Sequence, residues 1–427
     1  MVSTLGPGQT ITLTIEKPAV GGRMIARAHG QVVLVDGAVP GERVNARIER
    51  VARGVAYAET LSVEEPSPDR RSPSTDRWCG GCLYAHIAYR RQLELKSLIV
   101  ADAFARIGRL SWPTPVTIAA SPSDGYRMRA RLHWRGRALG FFREGTHQVC
   151  DARATGQLLP ASCDALDRIG IVLSALPPET VREIELSENI EASQRVVHLE
   201  TSPGAEAPWL DLLSGVSDVS GITVSDPVRG MPVVVGGSAY LFDQLHLADQ
   251  QAIALRRHGL AFFQSNRFLI RDLVSHVIDQ IPQGSSVMDL YAGGGVFAVA
   301  AARLCSASVT AVEGDRLAAE DLAFNAGASG GGIVPVHESV ESYVQSASPG
   351  VDVVVADPPR TGMSLEAVRG VVRLSGRRVV YISCDIATLA RDARRLVDAG
   401  YELARVEAFD LFPNTPHIET VVVFDRR

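Results

Sequence analysis

The sequence predicts an α/β protein with a Rossmann-like domain, preceded by an OB-like β-barrel and a small α+β central domain. Two observations predict this. About the last 180 residues alternate short β-rich apolar runs with helical segments, which is typical of an open sheet with helices on both faces. About the first 60 residues contain only short strand patterns between Gly and Pro turns. A chain of 427 residues is long enough for two or three domains.

The barrel is predicted for residues 1–62. A small five-stranded barrel of this kind often carries oligonucleotides, although any small β-module would show the same pattern. Residues 63–83 are polar, rich in proline and end near Cys79 and Cys82, which indicates a linker. The strand patterns of the barrel fall at residues 10–16, 31–35, 42–51 and 56–61.

The central domain, residues 84–245, opens with helical spacing over 84–106 and then changes to strands. The formal net charge of the chain is −5, which argues against a globally basic nucleic-acid binder. Residues 121–160 nevertheless contain seven Arg against three acidic residues. We expect this stretch to face phosphates, with a solvated strand face as the alternative. In a strand, three of these residues would project from one face: Arg127, Arg129 and Arg131.

Residues 246–427 form the Rossmann-like part. Six strand patterns are recognisable there, at 286–290, 308–313, 352–356, 378–383, 402–408 and 418–424. The first strand leads into a glycine turn and a helix, so a ligand would lie at the carboxyl ends of the strands. Gly293 and Gly295 approach the dinucleotide spacing, with Ala298 as the last member. Glu313 ends the next strand, where a carboxylate can accept both hydroxyls of a ribose. At this point NAD and S-adenosylmethionine both remain open.

The sequence Asp357-Pro-Pro-Arg360 follows a buried strand. Two successive prolines hold a loop in a fixed extended shape, which suits a platform for a flat base beside a methyl donor. This favours S-adenosylmethionine, and a simple turn is the alternative.

Cys384 lies at the tip of a predicted strand, just before a helix from about Ile386. A helix amino terminus lowers the pKa of a thiol, so we expect a functional cysteine, whereas Cys163 and Cys305 suit buried packing roles. Glu419 begins the last strand on the same side of the sheet, where it could act as the base. His417 is the alternative base, and a solvated strand end is the alternative for Glu419.

These motifs together resemble the RNA uracil-5-methyltransferases, and the amino-terminal barrel resembles the TRAM domain of many members. The resemblance implies a class I methyltransferase domain, S-adenosylmethionine as cofactor and RNA as partner. The matching segments, in order, are residues 262–266, 289–295, Glu313, 357–362, 383–392 and 412–419.

The resemblance also implies roles for individual residues. Cys384 would add to C6 of a uracil, and Glu419 would remove the proton from C5 after methylation. The residues at the positions that contact the methyl donor are Gln264, Tyr291, Glu313 and Asp357.

Three departures from the family pattern matter. In the glycine-turn motif, Ala292 and Val296 stand where the family commonly has a Cys and an Asn. Asp385 and Ile386 stand where the family usually has Asn-Pro. Members with an iron–sulfur cluster have four cysteines, whereas here Cys79 and Cys82 preserve half of the motif and Cys150 supplies a third thiol at most. Because such a cluster needs four thiolates, we expect no 4Fe–4S cluster and no other metal.

The barrel together with the cysteine motif resembles the enzymes of 23S rRNA, so rRNA is favoured over tRNA as substrate. A catalytically inactive RNA-binding paralogue is the alternative from another class. Six cysteines are too few for a disulfide scaffold, no apolar run is long enough to span a membrane, and the first residues lack the pattern of a secretory signal. We therefore expect a cytoplasmic protein without membrane contact, and a monomer.

Overall fold

The computed structural model describes residues 5–73, 75–112, 115–177, 180–202, 213, 215–225, 231–247 and 252–427. Residues 1–4, on which the expectation about a secretory signal partly rests, lie outside this set. So do residue 74 of the predicted linker and several short stretches of the predicted central domain. Within the described residues the strands form four sheets.

The amino-terminal sheet has six strands in the order β1-β5-β6-β4-β3-β2. The barrel was predicted to have five strands, and the four strand patterns located in the sequence do not include β2 or β3. Strand β2 is only two residues long, and the first three side chains of β3 are all buried and therefore do not alternate. In β5, by contrast, Val44, Ala46 and Ile48 point inward between exposed neighbours. The six strands are β1 (Thr10–Thr14), β2 (Lys17–Pro18), β3 (Met24–Ala28), β4 (Gln31–Asp36), β5 (Arg43–Ala52) and β6 (Val55–Glu65).

The predicted linker packs against the barrel. Arg70 donates to both carboxylate oxygens of Glu42 at 2.6 Å, and Glu42 is fully buried. Arg71 donates to the carbonyl of Ile87, near the start of the first helix. A bidentate guanidinium–carboxylate pair defines one geometry, so this segment fixes the barrel against the following helix.

Helix α1 spans Tyr89–Ala103 and continues as one π-helical turn, Phe104–Gly108. The helix therefore starts five residues later than the predicted range 84–106. The short strand β7 (Ile118–Ala119) follows and pairs with the edge of the carboxyl-terminal sheet. Strand β7, although it lies in the predicted central domain, is therefore hydrogen-bonded into the carboxyl-terminal sheet.

The central sheet has seven strands in the order β10-β9-β8-β11-β12-β13-β14. Helix α2 (Pro160–Ser174) covers one face, where Ile169 packs with Leu132 and Ile184 in a buried core. A short 3₁₀ helix, Arg153–Thr155, precedes α2. The strands are β8 (Arg129–Arg135), β9 (Ala138–Phe142), β10 (Val149–Asp151), β11 (Val181–Glu188), β12 (Arg195–Thr201), β13 (Gly221–Ser225) and β14 (Pro232–Gly237).

Strands β15 (Tyr240–His246) and β16 (Ala252–His258) pair antiparallel as a separate two-stranded sheet. Their inward side chains, including Leu245 and Leu255, pack in the core of the carboxyl-terminal domain. The predicted boundary between residues 245 and 246 falls inside β15. Because the two strands form one hydrogen-bonded unit, the boundary is better drawn before Tyr240.

The carboxyl-terminal sheet has eight strands in the order β19-β18-β17-β20-β21-β23-β22-β7, and β23 is antiparallel to both of its neighbours. The predicted Rossmann-like α/β fold is confirmed. Apolar clusters lie on both faces of the sheet, as expected when helices cover both sides. The strands are β17 (Ser286–Leu290), β18 (Ser308–Glu313), β19 (Ile333–His337), β20 (Val351–Ala356), β21 (Ser375–Ser383), β22 (Tyr401–Phe409) and β23 (Glu419–Arg426).

Strand β19 was missed by the sequence analysis. It is an edge strand with exposed or half-buried side chains, and Pro335 stands at its centre. Proline is tolerated at sheet edges, but it weakens a strand pattern. The helices of this domain are α3 (Ile270–Ile278), α4 (Val296–Cys305), α5 (Arg316–Ala328), α6 (Val340–Ser346), α7 (Leu365–Leu374) and α8 (Ile386–Asp398). None of the helices described is long and apolar enough to cross a membrane.

Candidate active site

The strand register brings the predicted site residues to one edge of the carboxyl-terminal sheet. Leu290, at the end of β17, pairs with Val312 on one side and with Ala356 on the other. The residues that follow these three in the chain are Tyr291, Glu313 and Asp357. Carboxyl ends of parallel strands open into one crevice, so the predicted ligand-binding residues lie side by side.

Cys384 and Glu419 face each other across β21 and β23. These strands are antiparallel, and Ser383 pairs with Thr420. The next residue of β21 and the preceding residue of β23 are Cys384 and Glu419, so the thiol and the carboxyl meet at the same edge as Asp357. Glu419 is 3% exposed, whereas Cys384 is half-buried.

The pKa of Cys384 differs from the sequence-based expectation. Asp385 caps helix α8, which begins at Ile386 as predicted, but burial raises the pKa of the Cys384 thiol to about 12. Glu419 adds to this effect, while Arg360 acts in the opposite direction. Desolvation of a thiolate outweighs a helix terminus at this position. The expected lowering of the pKa is therefore wrong, and the free site holds a neutral thiol.

The two carboxyl groups near Cys384 also favour their neutral forms. Burial raises the pKa of Glu419 well above its ordinary value, with a further contribution from Asp357 and an opposing one from Arg360. Burial also raises the pKa of Asp357 to about 7, although a hydrogen bond from Gln264 Nε2 at 3.1 Å acts against the shift. Raised carboxyl pKa values beside a cysteine are typical of catalytic sites.

His417, the alternative base, has the opposite shift. Burial lowers its pKa to about 4, and the positive charges of Arg360 and Lys96 contribute. Its ring meets Phe412 edge-on at 5.9 Å. Since the pKa of Glu419 rises and that of His417 falls, Glu419 is the stronger base of the two.

Arg360 is a site residue that the sequence analysis did not select. Its guanidinium influences the pKa values of Cys384, Glu419 and His417, and its side chain is otherwise exposed. Arg360 could have been recognised from the sequence because it directly follows Asp357-Pro-Pro. It supplies positive charge beside the thiol.

A small cleft, with a cavity volume of about 30 Å³, opens beside these groups at the glycine turn. Gly293 donates its N–H to Glu313 Oε2 at 2.7 Å, and Asp315 donates its N–H to Oε1 at 2.6 Å. Each carboxylate oxygen keeps a lone pair for a ligand hydroxyl. The residues that line the pocket include Phe262, Gln264, Tyr291, Gly293, Asn325 and Asp357.

Two further residues near this pocket were not selected from the sequence. Glu341 accepts a hydrogen bond from the Tyr291 hydroxyl at 3.2 Å, and nothing in the sequence links the two. Asp289 is 1% exposed at the end of β17, and burial, with the charge of Asp357, raises its pKa to about 8. Asp289 could have been recognised from the sequence because it is the first residue of the glycine-turn motif.

Comparison with known proteins identifies the family. Residues 343–427 match the family model described as tRNA (Uracil-5-)-methyltransferase, and residues 6–61 match the TRAM domain. An uncharacterized RNA methyltransferase of Thermotoga maritima is 31% identical, over 96% of this chain and 97% of its own. The 23S rRNA (uracil(1939)-C(5))-methyltransferase RlmD of Methylococcus capsulatus is also 31% identical, over 98% of both chains. The chain belongs to the RNA uracil-5-methyltransferases.

A solved structure supports the fold of this RNA uracil-5-methyltransferase. The Pyrococcus abyssi tRNA (uracil-54, C5)-methyltransferase, in complex with S-adenosyl-L-homocysteine, is 23% identical and has a TM-score of 0.76 over 96% of this chain and 99% of its own. The agreement extends over the barrel, the central region and the carboxyl-terminal domain.

In this methyltransferase the three predicted RNA-facing arginines lie in different environments. Arg127 precedes β8 and donates to Gln157 Oε1 at 2.8 Å, with its guanidinium 5.6 Å from the Phe412 ring. Arg129 forms an ion pair with Glu185, and Arg131 forms one with Glu183. The expected row of free cations is therefore neutralised at two of its three positions, because β11 places acidic residues opposite.

The partial cysteine motif of the methyltransferase forms a covalent pair. Cys79 and Cys150 are joined by a disulfide, and Cys82 is a buried free thiol. Cys150 lies in β10, and its Sγ is 3.2 Å from the Phe141 carbonyl. No group of three or more metal-ligating side chains occurs in the part of the chain that the structure describes.

Proposed function

We propose that this protein methylates C5 of a uridine in 23S rRNA, with S-adenosylmethionine as the methyl donor. The observation that carries the proposal is the juxtaposition of Cys384 and Glu419 at the edge of the sheet that also carries Asp357 and the glycine turn. The similarity to the Methylococcus capsulatus rRNA enzyme over nearly the full chain supports the choice of rRNA.

The residues around the glycine turn match the chemical groups of the methyl donor. Glu313 would accept the ribose hydroxyls, Phe262 and Tyr291 provide aromatic surface, and Gln264 with Asp357 lies on the side towards Cys384. When bound there, S-adenosylmethionine supplies an electrophilic methyl group.

Cys384 would add to C6 of the uracil, which makes C5 nucleophilic. Because burial keeps the thiol neutral in the free site, the thiol passes its proton to solvent as the sulfur bonds to C6, and the electrons of the C5–C6 double bond move onto C5 and the adjacent carbonyl. The guanidinium of Arg360 then stabilises negative charge that develops beside the sulfur. This role explains why an exposed cation lies beside the thiol of Cys384 and the buried carboxyl of Glu419.

Glu419 would complete the reaction by taking the proton from C5, after which Cys384 leaves C6. Its raised pKa fits this role, because a carboxylate whose pKa is raised by burial is a stronger base than an ordinary Glu. Asp357 and its hydrogen-bond partner Gln264 would separate the donor pocket from the thiol.

RNA would reach the site along the central sheet and the barrel. Arg127 lies beside Phe412 and near Arg360 and His417, and is the strongest candidate for a contact with the target nucleotide. Arg129 and Arg131 would bind phosphate only by exchanging their present carboxylate partners. We further propose that the enzyme acts in the cytoplasm as a monomer, with residues 1–62 as TRAM domain, 84 to about 239 as central domain and the remainder as methyltransferase domain.

A covalent trap tests the chemistry. RNA that contains 5-fluorouridine should form a denaturant-stable adduct with the wild-type protein and S-adenosylmethionine, because fluorine at C5 cannot leave as a proton. Cys384→Ala should form none while still binding S-adenosylmethionine. The absence of an adduct with any RNA of the source cell would contradict the proposed activity.

The substrate is tested by mapping 5-methyluridine in a strain that lacks the protein. Loss of a modified site in 23S rRNA, restored by the wild-type gene but not by Cys384→Ala, is the expected result. If 5-methyluridine is lost only from tRNA, the substrate is tRNA instead of rRNA, and the proposed chemistry is unchanged.

A further inference from the structure

The loop that precedes Glu419 begins directly opposite this residue. Residues 410–418 join β22 to β23, and Phe409 pairs with Glu419 where the two strands begin to diverge. Asp410 follows Phe409, and its N–H donates to the carbonyl of Ala119 at 2.9 Å. A displacement of Asp410 is therefore transmitted to Glu419 through a single strand pair.

Lys96 of helix α1 binds the loop at this point. Its Nζ donates to Asp410 Oδ1 at 2.5 Å and to the carbonyl of Phe412 at 3.3 Å. The side chains of Lys96 and Asp410 are both fully buried. A buried charge pair is costly to desolvate and contributes little net stability. We therefore attribute the Lys96–Asp410 pair to the geometry that it imposes on the loop.

The residue type supports a specific role. Lys17 and Lys96 are the only lysines of the chain, and the other 41 of its 43 basic residues are Arg. An ammonium is compact and directs three donors around a point, whereas a guanidinium is planar and larger. A carboxylate and a carbonyl that converge from one short loop match the ammonium.

Gln92 lies one turn before Lys96 on the same face of α1 and holds the tip of the loop. Its Oε1 accepts the N–H of Asn414 at 3.0 Å, and its Nε2 donates to Asn414 Oδ1 at 2.9 Å. Asn414 has a φ of 62°, so this reciprocal pair stabilises a left-handed turn. Helix α1 thus fixes both the start and the tip of the loop.

We propose that Lys96 is a positioning residue for the deprotonation at C5. Through Asp410 and Phe412 it holds the start of the loop, and with it Glu419, at the distance from which the carboxylate reaches the C5 proton. This inference rests on the role proposed above for Glu419. In the step concerned, the proton passes to Glu419, the C–H electrons form the C5–C6 double bond, and the sulfur of Cys384 leaves C6 with the electrons of the C–S bond.

The test is a charge-neutral double variant, Lys96→Met with Asp410→Asn, which leaves no unpaired charge in the interior. Single turnover with unmodified RNA and methyl-labelled S-adenosylmethionine separates methyl transfer from release of the RNA. We expect transfer at nearly the wild-type rate, release slowed by about 10²-fold, as for a misplaced catalytic group, and an unchanged KM for RNA. Methylated RNA linked to Cys384 should accumulate and be visible on a denaturing gel.

Lys17→Met is the matched control. Lys17 also pairs with an acidic residue of α1, Asp102, but that pair is partly exposed and includes no residue of the loop. This variant should release RNA at the wild-type rate and accumulate no linked RNA.

Equal slowing of methyl transfer and release, or no change in either, overturns the inference. If the double variant does not fold, Gln92→Leu replaces it, since the buried charge pair remains. This variant frees the tip of the loop, together with the carbonyls of Tyr84 and Ile87 to which Gln92 Nε2 also donates. That variant should also accumulate methylated adduct, to a smaller extent, and its failure to do so also overturns the inference. A wild-type protein that forms no adduct with 5-fluorouridine RNA gives a separate result, because it contradicts the proposed function itself.

Discussion

The reactivity of Cys384 towards a simple alkylating agent follows directly from its environment. With a pKa of about 12, the thiolate fraction at pH 7.5 is roughly 3 × 10⁻⁵, against roughly 9% for a free cysteine with a pKa of about 8.5. A more basic thiolate is intrinsically more nucleophilic, with a Brønsted slope of about 0.4–0.5, which recovers about 40-fold of this difference. We therefore expect Cys384 to react about 10²-fold more slowly than a free thiol.

The assay is the rate of carbamidomethylation by iodoacetamide between pH 6.5 and 10, with the modified peptide quantified by mass spectrometry. The rate at Cys384 should rise about tenfold per pH unit over the whole range, without a plateau. The same peptide in the urea-unfolded protein provides the reference, and its rate should level off above about pH 9.

Two variants separate the contributions to this pKa. Glu419→Gln removes a group that raises the pKa of the thiol, so alkylation should become faster at pH 9. Arg360→Met removes the opposing positive charge and should make alkylation slower. A plateau below about pH 7.5 in the wild-type protein would refute the reasoning, because it would mean that the amino terminus of α8 outweighs burial.

Three other predictions concern catalysis and stability. Glu419→Gln should reduce turnover by about 10²- to 10⁴-fold and accumulate methylated RNA on Cys384, as seen in single-turnover experiments; normal release would exclude Glu419 as the base. Gly295 has a φ of 88°, and an added Cβ would lie 2.7 Å from Leu322 Cδ1, so Gly295→Ala should lower the free energy of unfolding in urea by about 1–3 kcal/mol. Gly330→Ala, with a φ of 87° and no neighbour within 4 Å, is its control and should lose less. Asp289 has a folded pKa of about 8, so the stability that its neutral form contributes is complete below about pH 4 and is lost as the pH rises through 8; Asp289→Asn should flatten this decline in thermal unfolding, and an unchanged pH profile would contradict the assignment.

Much of the fold was predictable because its signals are local. The six strands predicted for the carboxyl-terminal domain all occur, with ends shifted by a few residues. They are short apolar runs that must be buried on both faces, and such runs are legible without tertiary information. Strand β19 escaped because its exposed edge and Pro335 remove that signal.

The positions of the site residues were predictable for the same reason. Tyr291, Glu313, Asp357 and Cys384 each follow the end of a parallel strand, and parallel strands end at one edge. Arg360 and Glu341 were not predicted, since their roles depend on which side chains of distant segments they meet. The charge state of Cys384 was predicted wrongly because a helix terminus is a local feature, whereas burial is not.

The sequence by itself determined the α/β fold, the order of the chemical groups along the chain and the family to which they belong. Only the tertiary structure decided the protonation of Cys384 and Glu419, the neutralisation of Arg129 and Arg131, the pairing of Cys79 with Cys150, and the contact of Lys96 with a loop more than 300 residues away. Hydrophobic periodicity and turn formation depend on residues that are close together in the chain, so the sequence alone shows them. Desolvation and pairing of charges depend on all neighbours in space, which only the packed molecule defines.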